Sequence, residues 1–138
     1  MKKVMAGEAP DPVGLYPHAR QVGSLLFLSG VGPRKKGCKD IPGVTLDEGG
    51  NVAAYCIETQ CRSVFDNVRR VLEASGASWG DLVDVTVFLT NMDDDFVTYN
   101  KVYAEYFANN QPCRTTVEIN KLPTPIAIEL KCIAVIKE

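Results

Sequence analysis

Short apolar runs and amphipathic stretches follow one another along the chain, and their two periodicities predict its elements. Met1 to Val13 holds a short strand candidate and then a stretch punctuated by Pro10 and Pro12. After the turn Gly14-Leu15-Tyr16-Pro17-His18, a strand is predicted from about Arg20 to Ser29, and its unbroken apolar run Leu25-Leu26-Phe27-Leu28 points to burial on both faces. Gly30 to Asn51, rich in Gly, Pro and charge, reads as a long excursion, and such stretches in small domains are often functional. A helix is predicted from about Val52 to Ala74, because Val64, Phe65, Val68, Val71 and Leu72 recur at the spacing of one buried stripe. Ser75-Gly76 suits its C-terminal end.

The β-branched run Val83 to Thr90 predicts the next strand. A turn over Asn91 to Asp95 follows, with Asp93 or Asp94 as helix cap, and then a helix from about Asp95 to Ala108. Its stripe of Phe96, Tyr99, Tyr103, Tyr106 and Phe107 reads as core packing. Arg114 to Asn120 alternates, with Arg114, Thr116 and Glu118 on one face. Ile126 to Ile136 alternates too, placing Ile128, Leu130, Cys132 and Ala134 opposite Glu129, Lys131 and Ile133. These elements make a single α+β domain over residues 1–138, a mixed sheet with two helices on one face. The strands are too apolar for their other face to meet water, so self-association is expected.

Composition narrows the function classes. The net charge of −2 supplies no field to recruit nucleic acid or an acidic membrane. Arg34, Lys35, Lys36 and Lys39 form one basic cluster, read as a solvated loop or, more sharply, as a lid that attracts an anion. Five cysteines without a C-x-x-C pair and a single histidine offer no zinc pattern. No cofactor is expected, since neither a phosphate loop nor a dinucleotide fingerprint occurs. No signal peptide or long apolar run is evident, so a cytoplasmic location without membrane contact is expected.

Two charged residues stand out. Glu129 interrupts an apolar strand, and Arg114 opens a strand directly after Pro112-Cys113. A buried charge needs a partner. One reading is a buried Arg–Glu bridge at a subunit interface. The other is an anion clamp beside an acid–base carboxylate, for which a planar guanidinium and a carboxyl of raised pKa are suited. His18, between Pro17 and Ala19, is a weaker candidate base, and Cys113 a weaker candidate nucleophile.

The blocks Pro112-Cys113-Arg114-Thr115-Thr116-Val117-Glu118-Ile119, Leu122-Pro123 and Ile128-Glu129-Leu130-Lys131-Cys132-Ile133-Ala134-Val135 resemble the C-terminal signature of the reactive-intermediate (enamine/imine) deaminase family. Gly14-Leu15-Tyr16, Leu28-Ser29-Gly30, Asp66-Asn67-Val68, Val85 to Leu89 and Tyr99-Asn100 fall in that family's order. The resemblance implies a chorismate-mutase-like fold and a homotrimer with ligand sites between subunits. It implies that Arg114 holds a substrate carboxylate and that Glu129 positions the attacking water. Tyr16, Ser29, Gly30 and Asn100 match pocket positions. Thr116 stands in the pocket where many members carry cysteine. The longer excursion from Gly32 to Asn51, with Tyr16-Pro17-His18-Ala19-Arg20, resembles the 2-aminomuconate deaminases.

The expected reaction is therefore hydrolysis of 2-aminomuconate, through its imine, to 4-oxalocrotonate and ammonia. The second carboxylate of that substrate needs a donor, and His18, Arg20, Arg34 and Lys35 are the candidates. A broad 2-iminoacid deaminase is the nearest rival. A non-enzymatic module that binds a small carboxylate, and a nucleic-acid-acting protein, are readings of other classes.

Overall fold

The computed structural model describes residues 1–137. Its main sheet has six strands: β1 (Lys2–Val4), β2 (Ala19–Val22), β3 (Leu25–Leu28), β6 (Leu82–Leu89), β7 (Cys113–Glu118) and β8 (Ile128–Val135). A separate hairpin joins β4 (Val44–Leu46) to β5 (Val52–Tyr55). Helices α1 (Ile57–Ala74) and α2 (Met92–Tyr106) complete the α+β domain. The strand order is β1-β2-β3-β8-β6-β7. Every neighbouring pair is antiparallel except β6 and β7, which run parallel. The chain between those two is α2, because a parallel pair needs a crossover.

Alternation assigns the faces. Val85, Val87 and Leu89 of β6 pair with Cys132, Leu130 and Ile128 of β8, and all six are fully buried with Val64, Phe65 and Val68 of α1. Burying each such aliphatic side chain is worth about 1.5–3 kcal/mol. Along β6 and β8, Thr86, Phe88, Glu129, Lys131 and Ile133 point the other way and are half-buried. Among the described residues no helix covers that second face, on which Val22, Leu25, Val117 and Val135 are exposed.

Several sequence boundaries shift. The strand expected from Arg20 to Ser29 is a hairpin, because Gly23 turns the chain at φ 60° between β2 and β3. The helix expected from Val52 begins only at Ile57; Val52–Tyr55 is β5, paired with β4 of the excursion. The excursion thus carries a hairpin of its own. Helix α2 starts three residues earlier than expected, and Asn91, not Asp93 or Asp94, caps it by accepting from Asp94 N at 3.1 Å. The aromatic stripe of α2 packs as core: Tyr99, Tyr103 and Phe107 are buried, and Phe96 and Tyr106 lie against them.

Candidate functional site

The residues singled out in the sequence fall into two groups. The first lies between β7 and α2. In the parallel register Arg114, Thr116 and Glu118 sit beside Val85, Val87 and Leu89, so all three face the helices. Arg114 Nη1 donates to Asn100 Oδ1 at 2.8 Å. Its guanidinium carbon lies 4.7 Å from the Tyr103 ring centroid and 5.4 Å from that of Tyr99. Thr116 Oγ1 and Tyr99 Oη share a hydrogen bond of 2.8 Å. Pro112, Gln111 and Phe107 complete the wall of a shallow hollow around Arg114. β7 is the edge strand, and Arg114 is exposed there. Burial pushes the Tyr103 phenol up to about 12, so it stays neutral beneath the cation.

The second group surrounds Glu129, where β8 begins. After β3 the chain bends back, and Val31 bridges Leu130 through Val31 N to Leu130 O at 2.8 Å and Leu130 N to Val31 O at 2.9 Å. That bridge lays Gly30 against the Glu129 side chain. A Cβ at position 30 would stand 2.8 Å from Glu129 Oε2, so only glycine leaves the carboxyl where it is. Tyr16, Gly32, Arg34, Pro123 and Ile126 line the rest of this cleft. Desolvation raises the Glu129 pKa above the ordinary carboxylate value, and the positive charge of Arg34 partly opposes it. A second hollow shares Tyr16, Gly30, Gly32 and Arg34 with the first and adds Pro10, His18 and Ser29.

His18 is built into this wall. Its Nδ1 accepts from Ala6 N at 2.9 Å, which places the proton on Nε2, and Nε2 donates to Pro10 O at 2.7 Å. Both ring nitrogens are engaged by the N-terminal segment, so His18 orders that segment while it lines the hollow. Ser29 Oγ donates to Pro17 O at 2.7 Å, and Tyr16 Oη accepts from Val13 N at 3.2 Å. Cys113 is exposed and lies across β7 from the Arg114 side.

Within the chain Arg114 and Glu129 do not meet. Arg114 faces the helices and Glu129 the uncovered side, with the sheet between them. Among the described residues the two side chains form no ion pair within the chain. Sequence reasoning left the tyrosine bed of Arg114 in the core, although Tyr99 and Tyr103 recur at i, i+4 on the helix that faces β7. It also assigned no task to Asn67 and Ser63 of α1. Among the described residues no group of three His, Cys, Asp or Glu side chains could hold a metal, and no helix is long and apolar enough to cross a membrane.

Comparison with known proteins places the chain in one family. Residues 6–136 match the family described as Endoribonuclease L-PSP. A RutC family protein of Pyrococcus horikoshii is 39% identical over 136 residues, covering 97% of this chain and 98% of that protein. A protein of Escherichia coli K12 described as putative reactive intermediate deaminase TdcF is 33% identical over 139 residues, covering 98% of each chain. The crystal structure of E. coli TdcF with bound serine superposes with a TM-score of 0.85 at 30% identity, covering 99% of this chain and 100% of that one.

Proposed function

Since the chain belongs to the Endoribonuclease L-PSP family, whose members include proteins named reactive intermediate deaminases, we propose that it hydrolyses an imine or enamine next to a carboxylate, in a site that two copies of the chain build together. The observation that carries this reading is the half-buried Glu129 carboxyl of raised pKa, held in an open cleft against Gly30. A carboxyl whose charged form is disfavoured by burial is suited to acid–base work. The Arg114 guanidinium, bedded on two tyrosine rings at a sheet edge, is the complementary anion clamp. The serine bound to TdcF carries the same kind of small carboxylate.

The sheet keeps the two groups of one chain apart, so the clamp comes from a neighbouring copy docked on the uncovered face. That face displays Val22, Leu25, Val117 and Val135, apolar surface a partner would bury. We assign this assembly as a homotrimer with three equivalent intersubunit sites, the smallest ring that gives every Glu129 one Arg114 through a repeated contact in which each copy presents a different face.

In the proposed mechanism the enamine tautomerises to its imine while Arg114 grips the adjoining carboxylate. Glu129 orients a water molecule and takes its proton as the oxygen attacks the C=N carbon. The bond formed is C–O, and the C=N electron pair moves to nitrogen. Glu129 returns the proton to that nitrogen, giving the carbinolamine; it then takes the carbinolamine's hydroxyl proton and passes it to the nitrogen as the C=O bond forms, the C–N bond breaks and ammonia leaves. Arg114 acts through position and charge. The substrate we assign is 2-aminomuconate, giving 4-oxalocrotonate; the basic excursion beside the Glu129 cleft favours a dicarboxylate over a simple 2-imino acid. The family description also names an endoribonuclease. Against RNA cleavage here stand the net charge of −2 and a single histidine whose two nitrogens are both occupied.

Two measurements test the reading. Ammonia release should be faster from freshly generated 2-aminomuconate than from 2-iminobutanoate, and no release from either would end the deaminase assignment. Arg114→Ala and Glu129→Gln chains, each strongly impaired alone at substrate concentrations below KM, should regain about a quarter of wild-type activity when unfolded and refolded together in equal amounts, because three-quarters of random trimers then carry one intact site. Failure to complement would mean that Arg114 and Glu129 do not share an intersubunit site.

A further inference from the structure

A dicarboxylate substrate leaves one acid group unassigned, and the structure separates the candidate cations. His18 is engaged at both nitrogens. Arg20 lies on β2 beside Phe27 and lines neither hollow near Glu129. Lys35 is exposed and also lines neither, and Lys36 pairs with Asp11 at 3.5 Å. Arg34 alone of these lines both hollows. Its positive charge is the one felt at Glu129.

Its main chain is also fixed from below. Asn67 Nδ2, on the buried side of α1, donates to Gly32 O at 2.9 Å and to Arg34 O at 2.6 Å. Ser63 Oγ, one turn earlier, donates to Pro33 O at 2.8 Å. Three successive carbonyls of an otherwise irregular segment are thereby tied to one helix. Arg70 Nη1 donates to Asn67 Oδ1 at 2.8 Å, which settles the orientation of the amide. The Arg34 guanidinium spends one donor on Asp11 O at 2.8 Å. The others in its five-donor fork are left for a ligand.

We infer that Arg34 reads a second acidic group on the substrate, and that Asn67 and Ser63 are positioning residues which aim it across the Glu129 cleft, so that the site selects dicarboxylate over monocarboxylate imines. The inference deepens the proposed function and rests on the Glu129 cleft being the substrate site. A guanidinium held at a fixed distance from the reacting carbon acts as a ruler for chain length as well as a charge.

Binding, rather than turnover, gives the test. Product-type keto acids of equal length, 2-oxoadipate and 2-oxohexanoate, differ only in the terminal carboxylate, and their affinities can be compared by titration calorimetry. The wild-type chain should prefer 2-oxoadipate, and Arg34→Gln should shrink that preference at least about tenfold, the factor one charged hydrogen bond supplies. Arg34→Lys should retain part of it. Asn67→Ala should shrink the preference although Arg34 is present, and should add nothing further in the Arg34→Gln background, a non-additivity that general destabilisation would not produce. Should Asn67→Ala fail to fold, Ser63→Ala supplies the same comparison from the less buried partner. An unchanged preference in Arg34→Gln, or a wild-type chain without any preference, overturns the inference. Ammonia release judges the deaminase reading separately, so a chain that deaminates and shows no dicarboxylate preference would keep that reading and lose this one.

Discussion

The guanidinium of Arg114 rests on two tyrosine rings and hydrogen-bonds to Asn100, whereas the carboxyl of Glu129 occupies space that Gly30 leaves free. The first group is positioned by what touches it, the second by what is missing beside it. Around Arg114 the supports are core residues of α2, so the clamp shares its rigidity with the fold. Around Glu129 the support is a loop bridged to β8, and the carboxyl remains half-buried and short of hydrogen-bond partners. In the proposed reaction, grip would come from a rigid edge and proton transfer from a desolvated group.

The largest effect that would sharpen this contrast is expected at the proton-handling end. Glu129→Gln should lower kcat by about 10³-fold, within the span of general acid–base catalysis, with a far smaller change in KM. Steady-state ammonia release measures both constants, and turnover near wild type would move the proton role elsewhere. Arg114→Ala should cut kcat/KM by about 10²-fold, largely through KM, since charged hydrogen bonds to the carboxylate are lost. Normal kinetics there would place the carboxylate at another cation.

A smaller effect isolates the empty space. Gly30→Ala puts a methyl group where the Glu129 carboxyl now lies. The carboxyl is the end of a flexible side chain and can swing away, so the melting temperature should stay close to wild type while kcat falls roughly tenfold through misplacement. A large drop in melting temperature with normal turnover of the folded fraction would mean that Gly30 serves only the backbone.

The smallest effect concerns pH. The folded state holds the Glu129 proton to a higher pH than the unfolded chain does, because burial disfavours the charge. Between the ordinary carboxylate pKa and the raised one the folded state binds more protons, so this residue's contribution to stability falls as pH rises through that window. Glu129→Gln should therefore raise the melting temperature slightly at neutral pH and lose that advantage in acid. The acid limb of kcat/KM should likewise lie above the ordinary carboxylate range, and a limb at the ordinary value would argue against this group.

Much of this arrangement could be read from the residues alone. Period-2 alternation in β7 and β8 placed Arg114, Thr116 and Glu118 on one face and Glu129 opposite Leu130, as the registers show. Helical spacing found the buried stripe of α1. What escaped was set by pairing between distant segments. Val52–Tyr55 reads equally well as helix, and only β4 makes it a strand. The turn at Gly23 lay inside the stretch from Arg20 to Ser29 that reads as one strand. That Arg114 and Glu129 lie on opposite sides of the sheet follows from the parallel β6–β7 register, which no local pattern reveals. The ties from Asn67 and Ser63 to the excursion were equally out of reach, since they join residues more than two dozen positions apart through main-chain carbonyls.

The sheet that separates Arg114 from Glu129 also bears on how the rate scales with the amount of protein. If two chains must meet to complete each centre, specific activity falls on dilution, by mass action, once the concentration drops below the dissociation constant of the assembly. A substrate that bridges the seam would pull the equilibrium back, so dilute samples should show a lag that shortens as the acid is added beforehand.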